Sequence, residues 1–139
     1  MQTITQKLLE GLKNADDIKT FLDLHEQEFL SQTLTDYLNE LMTDKNITVA
    51  KIAKNSGIGE YIYKIFSGER RATRDVLVSV AFGMKLSIEE TQLLLRIAKF
   101  AVLDSRERRD SVIIYALSHD MTVFECDDFL NENNLITLI

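Results

Sequence analysis

The sequence predicts an all-α protein, on three observations. None of its 139 residues is proline and only five are glycine, whereas β-sandwiches and long functional loops usually spend both on turns. Apolar residues recur at helical spacing from one end of the chain to the other. Helix start and stop signals punctuate that pattern. A hydrophobic fraction of 45% with 27% charged residues excludes disorder as the main state, and the length suffices for one domain with a real core.

The elements follow in order. Ile4, Leu8, Leu9 and Leu12 mark a short amphipathic helix that stops near Asn14. Ala15 or Asp16 opens a second, with Ile18, Phe21, Leu22, His25 and Phe29 on one face. Thr33 with Asp36 resembles a cap, a hydroxyl for an early backbone N–H and an acid at the positive helix end, and the helix it opens buries Leu34, Tyr37, Leu38, Leu41 and Met42. Thr48 caps a short helix through Ile52 and Ala53 that ends at Gly57, and a second short helix, 60–67, ends at Gly68, where glycine accepts the left-handed conformation of a helix stop. Residues 75–84 are apolar on most sides, as a central helix is. Ser87 with Glu90 and Thr122 with Glu125 are capping boxes, the first before a helix over 91–102, the second before the last helix. Between them 105–119 contributes Val112, Ile113, Tyr115, Ala116 and Leu117. The run Leu135–Ile139 is too apolar to be left in water and is expected to pack on the core or on a partner subunit.

Several function classes have little to stand on. No apolar run approaches the ~18–20 residues that cross a bilayer, and 1–13 is too polar for a signal peptide. The single cysteine, Cys126, closes no intrachain disulfide and has no metal-site company, so the expected location is the cytoplasm. His25 and His119 lack ligand spacing. With no nucleophile–base set, glycine-rich phosphate loop or metal spacing, neither catalysis, a metal nor a cofactor is expected.

The informative stretch runs from Leu34 to Leu86. Ala53, small enough for a close helix crossing, stands four positions before Gly57, free to turn with positive φ. Ile52, Ile58, Ile62, Ile65 and Phe66 fill the small core beneath. The segment T-V-A-K-I-A-K-N-S-G-I-G-E-Y-I-Y-K-I-F-S-G-E-R-R-A-T-R-D-V-L, with the following apolar helix and L-S-I-E-E-T-Q-L-L-L, resembles the lambda-repressor-like helix-turn-helix domains of the XRE/Cro family. The resemblance covers about half the chain. Counted from Ala53, the buried place on the recognition helix falls on Ile62 with a segment one residue shorter than the family's, and on Tyr63 with ordinary spacing. The expected organisation is an acidic helical arm (1–32), a helix-turn-helix domain (33–103) and a helical extension (104–139), packed as one unit.

Charge sharpens the reading. The chain carries a formal −6, yet 45–74 holds seven cations and two acids, a local +5, between flanks of −6 and −5. The resemblance implies a regulator of transcription that binds double-stranded DNA sequence-specifically, as a homodimer whose two-fold repeats the contacts. On that docking geometry Glu60, Tyr61 and Lys64 meet base edges, while Lys51, Arg70, Arg71 and Arg74 clamp the phosphates. The rival expectation keeps the fold as a protein-interaction module, an adaptor or antagonist, favoured by Glu60 and the acidic flanks. Arg106, Arg108 and Arg109, interleaved with Glu107 and Asp110, are read first as intramolecular pairs at helix spacing.

Overall fold

Local chemistry sets most of the helix starts. In a computed structural model, residues 3–26 and 33–139 are described, and Phe29, expected on the second helix, lies outside them. Among the described residues there are nine helices and no strand: α1 (Ile4–Asn14), α2 (Ile18–Leu24), α3 (Leu34–Asp44), α4 (Val49–Ser56), α5 (Tyr61–Phe66), α6 (Arg74–Met84), α7 (Ile88–Ile97), α8 (Arg108–Ser118) and α9 (Val123–Glu132). Seven begin on a side-chain oxygen that accepts an early backbone N–H: Thr3, Asp17, Thr33, Thr48, Thr73, Ser87 and Thr122. Each such cap satisfies one of the donors a helix start leaves orphaned, worth about 1 kcal/mol. The second helix is opened by Asp17 rather than Ala15 or Asp16, because only the Asp17 carboxylate reaches Thr20. Hydrogen bonds from the Thr20 hydroxyl and then its backbone N–H hold the Asp17 carboxyl below the usual carboxylate range.

The chain separates into two compact units, 1–31 and 32–139. In the first, α1 buries no residue and α2 buries only Phe21, which lies against Gly11, where a Cβ would come 2.9 Å from its ring. The face foreseen for α2 is therefore mostly exposed: Ile18 and Leu22 stand in solvent.

In the second unit α6 is the hub. All eight residues from Leu77 to Met84 are buried, and the helix packs against α4, α7 and α9. Its closest approach is to α4: a Cβ on Gly83 would lie 2.9 Å from Ser56 Cβ and 3.0 Å from the Ile52 carbonyl oxygen. α3 packs on α5 and α7, and α8 pairs with α9. The buried Ser56, Ser79 and Thr91 hydroxyls donate to carbonyls three or four residues back, so these side chains enter the core without an unmet donor.

The helix expected over 91–102 runs instead from Ile88 to Ile97. Lys99 takes φ 65°, and the Phe100 N–H returns to the Leu95 carbonyl, a left-handed stop that glycine usually provides. The Gln92 amide then pins Leu103 through both its N–H and its carbonyl, at 2.7 and 2.8 Å. The following helix consequently begins at Arg108, three residues later than expected. The 135–139 run packs on its own chain. Leu138 is buried, and the Leu138 and Ile139 N–H groups donate to the two Asp127 carboxylate oxygens.

Candidate functional site

α4 and α5 form a tight two-helix unit. Gly57 closes α4 in the left-handed conformation, φ 75°, and a Cβ there would meet Ile139 Cδ1 at 2.5 Å and Phe124 Cε1 at 3.2 Å. Glycine is thus required twice over, by backbone and by space. Gly59 (φ 61°) completes the turn. The Thr48 hydroxyl accepts the Lys51 N–H at the other end of α4.

Burial fixes the register of α5. Ile62, Ile65 and Phe66 are buried whereas Tyr63 is 50% exposed, so Ile62, not Tyr63, fills the inward place and the turn is the shorter of the two forms. The outward row of the helix is Glu60, Tyr63, Lys64 and Ser67, with Glu69 beside it in one shallow surface depression.

This geometry brings some expected site residues together and withdraws others. Glu60 and Lys64 share the outward row. Tyr61 does not: it is half-buried, and its hydroxyl donates to the Arg71 carbonyl at 3.0 Å. Its role is to hold the loop after α5, and the aromatic ring in the outward row is Tyr63. Lys51, Arg70 and Arg71 are exposed, as is Lys54. Among the described residues none of these four, nor Lys64, pairs with a carboxylate. The central positive charge therefore reaches solvent largely unneutralised.

Arg74 is the exception. Its guanidinium makes a bidentate pair with Asp110 (2.9 and 3.2 Å) and donates to the Ala101 and Val102 carbonyls. Four of its five N–H donors are spent inside the protein, which removes it from the expected phosphate clamp and makes it a bolt between α6 and α8. The bolt is reciprocal. Arg109, the residue before Asp110, pairs bidentately with Asp75, the residue after Arg74, at 2.9 and 3.1 Å. Arg109 also donates to the Ile136 and Thr137 carbonyls. Two Arg-Asp dipeptides, one in the first turn of each helix, thus cross-pair and tie down both the 98–107 loop and the 135–139 run. Of the charged cluster Arg106–Asp110, Arg109 and Asp110 pair within the chain, but with Asp75 and Arg74 across the fold rather than at helix spacing.

Lys45 is also committed, to Glu90 at 3.0 Å. Burial tends to raise the Glu90 carboxyl, but the Ser87 N–H and the Lys45 ammonium outweigh it and leave it below its usual range. Cys126 is fully buried and its thiol is pushed up to about 12, by burial and then by the neighbouring Asp127. It is a core filler. His119 stacks on Tyr115 with ring centroids 4.0 Å apart at the end of α8. No group of acidic, histidine and cysteine side chains among the described residues forms a metal cage, and no helix there is long and apolar enough to cross a membrane.

Sequence reasoning missed three features: Tyr63 in place of Tyr61, the Arg74–Asp110 and Arg109–Asp75 exchange, and the Gly83 crossing. The repeated Arg-Asp dipeptide was the available signal for the second. Comparison of the chain with protein-family profiles, with curated proteins and with solved structures returns no match.

Proposed function

We propose that residues 33–103 act as a lambda-repressor-like helix-turn-helix domain of the XRE/Cro type that binds double-stranded DNA and regulates transcription, as a homodimer. The observation that carries this reading is the outward row of α5, Glu60, Tyr63, Lys64 and Ser67, accompanied by the unpaired cations Lys51, Lys54, Arg70 and Arg71. A recognition helix needs such a row for base edges and such cations for phosphates. Lys64 donates to guanine, Glu60 accepts from cytosine N4, and Tyr63 meets a phosphate or a thymine methyl. Lys51, Arg70 and Arg71 neutralise phosphates, while Arg74 keeps the loop in place.

The test is fluorescence anisotropy with labelled genomic fragments at low salt, repeated across a salt series. Three phosphates neutralised per protomer give a slope of log K against log salt of about −2.7, and replacing Arg70 and Arg71 by Ala reduces its magnitude by about 2 per protomer. Absence of any binding, even non-specific, at micromolar protein refutes the proposal.

A second reading rests on one observation: the outward row and its neighbour Glu69 carry two acids against the single Lys64. On it, the same face docks a protein partner. The Arg70→Ala/Arg71→Ala variant separates the two, since it loses nucleic-acid retention on the first reading and only partner capture on the second.

A further inference from the structure

Away from the outward face of α5, a cleft runs along the side of α4. One end is an apolar chamber of about 230 Å³, walled by Phe82, Leu86, Leu117, Met121 and Phe124 where α6 meets the α8–α9 turn. The other end is a shallower basin of about 340 Å³ over Ile47 and Met84, rimmed by Lys45 and Lys51. Asn55 and Lys85 line both, so the two adjoin across these side chains. Their combined size falls in the range of small-molecule sites, ~300–1,000 Å³.

The polar groups are arranged by sign along this cleft. The basin has three lysines and no acid among its lining residues. Lys45 is spent on Glu90, which leaves Lys51 and Lys85, neither of them paired with a carboxylate among the described residues. Asn55, half-buried, makes no side-chain hydrogen bond within the described protein, and no buried side-chain atom there lacks a partner. Its amide is therefore open to the cleft and supplies two donors and an acceptor. Asp120 sits at the rim of the apolar chamber, where it disfavours an anion and so sets which end of a ligand enters which end of the cleft.

We propose that this cleft binds a small amphipathic organic anion, its aromatic or branched apolar body in the chamber against Phe82, Met121 and Phe124, and its phosphate, sulfonate or carboxylate group on Lys51, Lys85 and Asn55. A free anion without an apolar body gains only exposed, screened charge contacts. An uncharged aromatic leaves the lysines unused. The site needs both parts. Its occupancy does not depend on the DNA reading, although Lys51 belongs to both and a bound anion would take that cation from a phosphate.

The methionines report on the two ends separately: Met121 walls the chamber, Met84 floors the basin, and Met42 lines neither. The experiment is methyl NMR of the full chain labelled at methionine, titrated with 1-naphthyl phosphate in the absence of nucleic acid, with inorganic phosphate and 1-naphthol as separate arms. Expected are saturable one-to-one shifts of Met84 and Met121 with Met42 unmoved, and weaker binding in both comparison arms. Lys51→Ala and Lys85→Gly each weaken 1-naphthyl phosphate about tenfold, the loss of one hydrogen bond to a charged group, and Lys54→Ala leaves it unchanged. Glycine is chosen at 85 because the backbone there is left-handed, φ 54°, and Met42 in its native position shows each variant folded. No saturable shift at millimolar probe, equal binding of either comparison compound, or equal binding by the lysine variants overturns the proposal.

Discussion

Replacing Arg74 by Ala tests whether its guanidinium serves the fold, through Asp110, or a phosphate. The substitution removes both hydrogen bonds to Asp110 and those to the carbonyls of Ala101 and Val102. It leaves the Asp110 carboxylate, 9% exposed as a side chain, with the Asp104 N–H as its remaining partner among those contacts. Stripping one partner from a fully buried pair costs ~3–5 kcal/mol. The Arg74 side chain retains 24% exposure, which brings the expected loss to about 2–3 kcal/mol. At roughly 4 °C per kcal/mol for a unit of this size, the melting temperature falls by about 8–12 °C. A double-mutant cycle with Asp110→Ala isolates the pair, because the carbonyl bonds of Arg74 and the Asp104 bond of Asp110 each appear in one single mutant and in the double and so cancel. The coupling expected is about 1.5–3 kcal/mol, that of hydrogen bonds to charged groups. The assay is urea unfolding followed by circular dichroism, with Arg70→Ala as the exposed control at within ~0.5 kcal/mol of the parent. An Arg74→Ala protein as stable as that control, or a coupling near zero, refutes the assignment of Arg74 to the fold.

Three further outcomes are expected. Gly83→Ala forces a Cβ to 2.9–3.0 Å from the Ser56 and Ile52 atoms of α4, and the two helices must part; a loss of about 1–3 kcal/mol in the same unfolding assay is expected, and a neutral or stabilising result shows that α4 and α6 do not approach so closely. Because the folded-state pKa of Cys126 is raised from 9.0 to about 12, its contribution to stability is complete below pH 9 and fades as pH rises towards 12; a disulfide-exchange reagent at pH 8 therefore labels the thiol only at the rate of unfolding, and stoichiometric labelling of native protein contradicts its burial. Glu90 is shifted the other way, lowered from 4.5, so its contribution is present above pH 4.5 and lost as pH falls below that value; Glu90→Gln keeps the reach back to the Ser87 N–H and flattens the stability profile on that acid side, as pH-dependent unfolding measures.

What could be read from the sequence divides by range. The caps Thr33, Thr48, Ser87 and Thr122 were legible because an N-cap is chemistry within three residues, and each bond forms where the spacing put it. The apolar run of α6 was legible because burial on every side leaves no polar stripe. The end of the following helix was not, because its stop is Lys99 in a conformation that sequence reading reserves for glycine. The Thr73 cap of α6 and the inward turn of Arg74 were not legible for one reason: the run Arg70–Arg74 reads as a basic loop, whereas the Thr73 hydroxyl starts the helix there and Arg74 is already part of it. At the candidate site a one-residue difference in turn length decided between Tyr61 and Tyr63, and only burial of Ile62 resolves it. The Arg-Asp exchange spans 34 and 36 residues, beyond any local pattern.

That exchange also changes what the charge of the central segment means. Counted along the chain, 45–74 is +5, but two of its seven cations are answered by acids outside it, Lys45 by Glu90 and Arg74 by Asp110. The field that a phosphate meets comes from the remaining five, Lys51, Lys54, Lys64, Arg70 and Arg71, against Glu60 and Glu69, a net +3. Binding carried by so few cations on an otherwise acidic protein has a shallow salt slope and low affinity for a single copy. Two copies related by a two-fold, with half-sites about one helical turn apart, double the contacts and the slope together. A slope of about −5.4 rather than about −2.7 in the salt series is accordingly the signature of the dimer on DNA, and a slope that stays at the single-copy value while the protein is dimeric in solution assigns the dimer contact to some purpose other than DNA.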